Sequence, residues 1–159
     1  MKNYSTVLLD FDSIMLFLKY QNQIKKTECG IKIRDEVYNV KENNIDVIGL
    51  SSSNYYFKVQ EFLNYYNLYE SIIETPNIKS LSLNHIYFYN LLHKLITDTE
   101  KMLVVSGSTQ VIEAAKVLDL DCCYYEPFKV DTFNLEGVLH IDSLTDLVKN
   151  KVKTIGSNN

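Results

Sequence analysis

With 159 residues, 46% of them hydrophobic and 23% charged, the chain has the size and composition of one soluble globular domain. A net charge of −4 without a basic stripe argues against nucleic-acid binding, and no run approaches the roughly 18 uninterrupted apolar residues that would span a membrane. Three cysteines without a Cys-x-x-Cys pair, and three histidines without zinc-like spacing, fit a reducing compartment better than a disulfide or zinc framework.

In chain order, the first element is a β-rich run, Thr6 to Leu9, reached almost at once and without a signal-peptide layout, which predicts a cytoplasmic protein. It ends in Asp10-Phe11-Asp12-Ser13. Continued as a strand, this segment puts Asp10 and Asp12 on one side, at the C-terminal end where open α/β sheets bind ligands. Two carboxylates held there repel each other unless a cation, a proton or a donor lies between them, which points to metal or phosphate chemistry. The same residue types also serve as helix caps, and Asp12 or Ser13 could cap a helix through Ile14, Leu16 and Phe17.

The stretch from Lys19 to Asn44 is polar and irregular, with a turn signal at Cys29-Gly30. A strand over Asp46 to Leu50 ends in Ser51-Ser52-Ser53-Asn54 and opens a helix carrying Val59, Phe62, Leu63 and Tyr66. Ser71 to Glu74 reads as a strand, and Phe88, Leu91, Leu92 and Leu95 as a helix face. Met102 to Val105 ends in Ser106-Gly107-Ser108-Thr109 and opens a helix with Val111, Ala114, Ala115 and Leu118 inward. Strands follow at Cys122 to Tyr125, where the two cysteines face opposite ways, and at Val138 to Ile141. Asp142 or Ser143 caps a last helix with Leu144, Leu147 and Val148. This alternation predicts an α/β fold with a parallel sheet and right-handed crossovers, a single domain over 1–150 and a polar tail over 151–159.

Taken together, these motifs resemble the haloacid dehalogenase (HAD) superfamily of Mg-dependent phosphohydrolases. Asp10-Phe11-Asp12 matches its Asp-x-Asp motif, Ser51 its second motif, and Met102 to Lys116 its fourth, a hydrophobic strand followed by Gly-Asp-Ser-x-x-Asp-Ile-x-Ala-Ala-Lys. Ile141-Asp142-Ser143-Leu144 is similar to the closing strand and helix of phosphoglucomutase-like members. The resemblance implies a three-layer, Rossmann-like core without a cap domain, with Thr6–Leu9 between Asp46–Leu50 and Met102–Val105. It implies Asp10 as nucleophile through an aspartyl-phosphate, Asp12 as general acid and base, and Ser51, Ser52 and Lys79 as phosphate contacts. Mg²⁺ would lie at Asp10, Asp12 and the fourth motif, with a phosphorylated substrate in an open site.

The fourth motif departs from the family. Gly107 and Val111 stand where the two acids belong, leaving hydroxyls of Ser106 and Ser108 as stand-in ligands. Mg²⁺ needs near-octahedral oxygen ligation, so the expectation is a degenerate site that is non-catalytic or weakly active. Two other readings compete with it: a working Mg-dependent phosphatase, and an interaction module or homodimer built on tyrosines 55, 56, 65, 66, 69, 87 and 89.

Overall fold

The computed structural model describes residues 3–52, 54–69, 72–74, 77–78, 101–130 and 137–148. Its elements are β1 (Thr6–Asp10), α1 (Phe11–Lys19), α2 (Gln23–Glu42), β2 (Asp46–Ser52), α3 (Tyr56–Tyr65), β3 (Ile72–Glu74) and β4 (Asn77–Ile78). After them come β5 (Met102–Ser106), α4 (Thr109–Val117), β6 (Asp121–Tyr125), a 3₁₀ turn (Glu126–Phe128) and β7 (Leu139–Ile141), and residues 145–148 are again helical. The expected helix through Phe88 and Leu95, together with Lys79 and the tail, lies outside the described residues.

All pairings are parallel, in the order β3-β2-β1-β5-β6-β7, with β4 pairing β2 beyond β3. β1 is central as expected: Thr6 to Asp10 run beside Asp46 to Leu50, and Thr6 to Leu9 beside Met102 to Val105. A strand buried on both faces needs apolar residues at every position, and Thr6-Val7-Leu8-Leu9 supplies a near-continuous run. Alternation then sorts the side chains into two cores. Val7, Leu9, Val47, Val105 and Cys123 pack with Ile14 and Leu18 of α1, Ile33 and Val37 of α2, and Phe62 and Leu63 of α3. Leu8, Ile48, Leu50, Met102 and Val104 pack with Val111, Ala114 and Ala115 of α4. The result is the three-layer sandwich. Cys122 and Cys123 separate onto the two faces, and burial pushes both thiols above their ordinary value.

The largest departure from expectation is α2, twenty residues of helix where an irregular stretch with a turn was expected. Asn22 starts it by accepting the Lys25 amide at 2.9 Å. Its buried side is Gly30, Ile33, Val37 and Val40, at helical spacing. Gly30 marks no turn. It is the place where the Tyr66 side chain lies against α2, within 2.1 Å of where a Cβ would stand.

Glu36, also on the buried side of α2, is 5% exposed. Its carboxylate accepts Tyr125 Oη at 2.5 Å, Lys32 Nζ at 3.0 Å and the Leu144 amide at 2.8 Å. Lys32 Nζ also donates to the Asp142 carbonyl at 3.0 Å. A buried carboxylate is tolerated when its oxygens are satisfied in this way. Here one side chain of α2 ties β6 to the helix that follows β7.

Candidate functional site

The sheet ends gather the candidate residues by register. Asp10 is level with Leu50 of β2, so Ser51 and Ser52 lie one and two steps beyond it. Leu9 is level with Val105, so Ser106 comes up beside Asp10. The geometry agrees: Ser106 Oγ donates to Asp10 Oδ2 at 2.7 Å.

Asp10 is the last residue of β1 and the N-cap of α1. Its Oδ1 accepts the amides of Asp12 at 3.0 Å and Ser13 at 3.3 Å. This corrects the expectation that Asp12 or Ser13 caps the helix. It also corrects the expectation of two carboxylates on one strand, because the chain turns helical at Phe11 and Asp12 stands in the first turn of α1. From there Asp12 reaches β2, and both its oxygens accept the Ser52 amide, at 3.0 and 3.1 Å. Asp10 and Asp12 do share one end of the sheet, as expected, but each is fastened to a different strand.

The electrostatics follow from that packing. Asp10 is 1% exposed, and burial, aided by the Asp12 charge, raises its carboxyl from 3.8 to about 7, while the Ser106 and Ser13 hydrogen bonds oppose the rise. Burial also raises Asp12, against the Ser52 and Ser51 hydrogen bonds that favour its charged form.

On the β5 side the contacts are of another kind. Ser13 Oγ donates to the Asp10 carbonyl at 3.0 Å and accepts the Gly107 amide at 3.2 Å, and Ser106 Oγ accepts the Ser108 amide at 2.9 Å. Gly107 also accepts the Val130 amide on its carbonyl at 2.9 Å. A Cβ at Gly107 would stand 1.9 Å from the Phe128 carbonyl oxygen, far inside contact distance and against backbone. Position 107 therefore has no room for a side chain. Val111 is buried in the second core, among Leu8, Val104 and Ala115. Among the described residues, no three His, Cys, Asp or Glu side chains converge as a metal centre would require.

Ser13, a cap candidate in the sequence, instead joins the Asp10 carbonyl to the Gly107 amide. Glu36 and Phe128 carry no sequence signal of their own: Glu36 looks like a solvent-facing helix residue, and Phe128 acts through its backbone carbonyl.

No protein-family model matches the sequence, and no curated protein matches it significantly. Solved structures do match in shape. A haloacid dehalogenase-like family hydrolase from Xanthomonas campestris superposes with a TM-score of 0.63 at 7% identity, over 96% of this chain and 96% of that one. The fold is that of the HAD-like core. CbbY from Rhodobacter sphaeroides, solved with phosphate, gives 0.61 at 14% identity over 91% of this chain and 96% of CbbY. YfnB from Bacillus subtilis, solved with magnesium, gives 0.58 at 13% over 94% and 99%. Identities this low speak for the fold alone. Among the described residues, no helix is long and apolar enough to cross a membrane.

Proposed function

We propose that this HAD-like protein is not an efficient Mg²⁺-dependent phosphohydrolase, and that its strand-end crevice serves as a structural fastening between β1, β2 and β5. The observation that carries the reading is position 107, where the Phe128 carbonyl occupies the space an acid's side chain would need. Mg²⁺ keeps octahedral oxygen ligation and draws on one or two carboxylates besides substrate phosphate. Asp10 and Asp12 already use their oxygens on amides and on Ser106, and positions 107 and 111 bring no side-chain oxygen. The Ser106 hydroxyl, the expected stand-in, is engaged by Asp10 and by the Ser108 amide. This donor set does not fit the ion. Without a cation, a carboxylate about 4 Å from a phosphate dianion meets a repulsion of roughly 1 to 4 kcal/mol per charge pair, depending on the local dielectric. An Asp10 nucleophile attacking through Oδ2, the oxygen that does not cap α1, would have to give up the Ser106 hydrogen bond.

The test is a Mg²⁺ titration of aryl-phosphate hydrolysis by the wild type and by Asp10→Asn. The expected result is the same low, non-saturating rate for both. Saturable Mg²⁺-dependent turnover that disappears in Asp10→Asn would replace this reading with that of a working phosphatase.

A further inference from the structure

A second feature lies on the far half of α1, about 13 Å along the helix from Asp10 at 1.5 Å per residue. There α1, α2 and α3 enclose an open groove of about 430 Å³. Its floor is apolar, formed by Met15, Leu18 and Phe62, and its rim carries Lys19, Lys26 and Lys58 against one acid, Glu61. Among the described residues, none of the three lysines has a carboxylate within ion-pair distance. Lys19 lies only over the Tyr20 ring, at 5.7 Å. Three cations around one cleft, with no ion-pair partner among the described residues, are a local excess in a chain whose net charge is −4.

The surroundings extend the patch. The four most exposed large hydrophobic side chains of the described residues are Phe57, Tyr65, Tyr20 and Ile24, at 73 to 79%. All four sit on the groove-forming helices or at the C-cap of α1. Of these, Tyr65 lines the groove itself, Ile24 and Phe57 sit on its helices α2 and α3, and Tyr20 lines a separate cleft with Phe17 and Lys129. Exposed apolar side chains edged by charge mark an interaction surface, and aromatics are the residues such surfaces favour.

From this geometry we infer that the α1–α2–α3 groove docks an acidic segment of another protein, with an aromatic or aliphatic anchor on the Leu18–Phe62 floor and carboxylates against Lys19, Lys26 and Lys58. Charge selects this occupant. A second copy meeting the same face across a two-fold axis would bring two sets of three lysines together against one Glu61 from each copy, an excess of like charge. An anionic bilayer would gain only about 1 kcal/mol per lysine while facing a protein of net negative charge. The inference is independent of the strand-end site.

The experiment selects peptides from a random phage-displayed library on the full chain, then measures binding of the winners by fluorescence anisotropy. The expected winners combine Asp or Glu with Phe, Trp or Leu, bind more weakly as salt rises, and lose about tenfold in affinity on Lys26→Glu with Lys58→Glu. Val117→Ser, which removes an exposed apolar side chain from α4 on the opposite face, should leave binding unchanged. Circular dichroism confirms that the variants fold. Failure to enrich any peptide, winners without acidic residues, or equal binding by the charge-reversed variant would each overturn the inference. So would dimerisation through the groove in sedimentation experiments, abolished by Tyr65→Ser, or lysine-dependent binding to phosphatidylserine vesicles.

Discussion

The two sides of the strand-end crevice were built by different means. On the β1–β2 side polar side chains line the crevice, with Asp12 holding the Ser52 amide and Asp10 capping α1. On the β5 side the corresponding positions have closed, Gly107 against the Phe128 carbonyl and Val111 into the second core. The comparison teaches that a position without a side chain need not leave a gap. Because residue 107 is glycine, the 126–130 segment packs directly onto its backbone.

The sharpest way to break this comparison is to put atoms back at position 107. Gly107→Ala should destabilise the fold by about 3 kcal/mol, at the upper end for overpacking, because the clash is with backbone. Gly107→Asp should do no better, since it needs the same Cβ. Urea unfolding measures both, and an alanine variant as stable as wild type would show that the 126–130 segment yields easily. Combining Gly107→Asp with Val111→Asp is for the same reason a poor route to a restored metal site.

On the retained side, Asp10 should give the protein a distinctive pH response. Its folded carboxyl is raised to about 7, whereas an unfolded aspartate titrates near 3.9. Between those values the native state keeps a proton that the unfolded state has released. The Asp10 contribution is therefore full below about pH 4 and is lost as pH rises through 7. A displacement of that size corresponds to about 4 kcal/mol. Asp10→Asn keeps the capping oxygen and removes the charge, so it should be more stable than wild type at pH 8, and the advantage should vanish by pH 4. Parallel stability curves for the two proteins would refute the assignment.

Smaller effects sharpen the picture. Ser106→Ala removes the donor to Asp10 and the acceptor of the Ser108 amide, at a cost of about 1 to 2 kcal/mol. That cost should be larger above pH 7, where Asp10 is charged. Ser51→Ala removes one of the hydroxyls that favour the Asp12 carboxylate and should cost about 1 kcal/mol in thermal unfolding.

How much of this was legible in the sequence depended on the kind of signal each part carries. The central strands announce themselves as apolar runs, and register then brings Asp10, Ser52 and Ser106 together whatever their side chains do. α2 was hidden because its buried stripe is broken by Glu36 and Gly30, residues that look like solvent and turn until Tyr125 and Tyr66 are seen against them. The alternation along Asp10-Phe11-Asp12 fits a strand end and the first turn of a capped helix equally well, and only the Asp10 hydrogen bonds to the Asp12 and Ser13 amides decide for the helix. The closure at Gly107 was illegible, since the partner is a carbonyl twenty-one residues further on and any residue type supplies one.

Glu36 also bears on the order in which this chain acquires its structure. Its contact with Leu144 spans 108 residues, and closing a loop of that length carries an entropic cost that must be met before the contact rewards it. During synthesis α2 emerges early, with a carboxylate on its inner face whose amide and phenol partners have yet to be made. Burying that face before the chain past residue 144 arrives leaves those contacts unmade, with only Lys32 of α2 itself beside the carboxylate, so docking of α2 is expected to be completed by the C-terminal segment. A nascent chain stalled before β7 would carry α2 loosely held and open to proteolysis, and completion of the last helix would be what locks it.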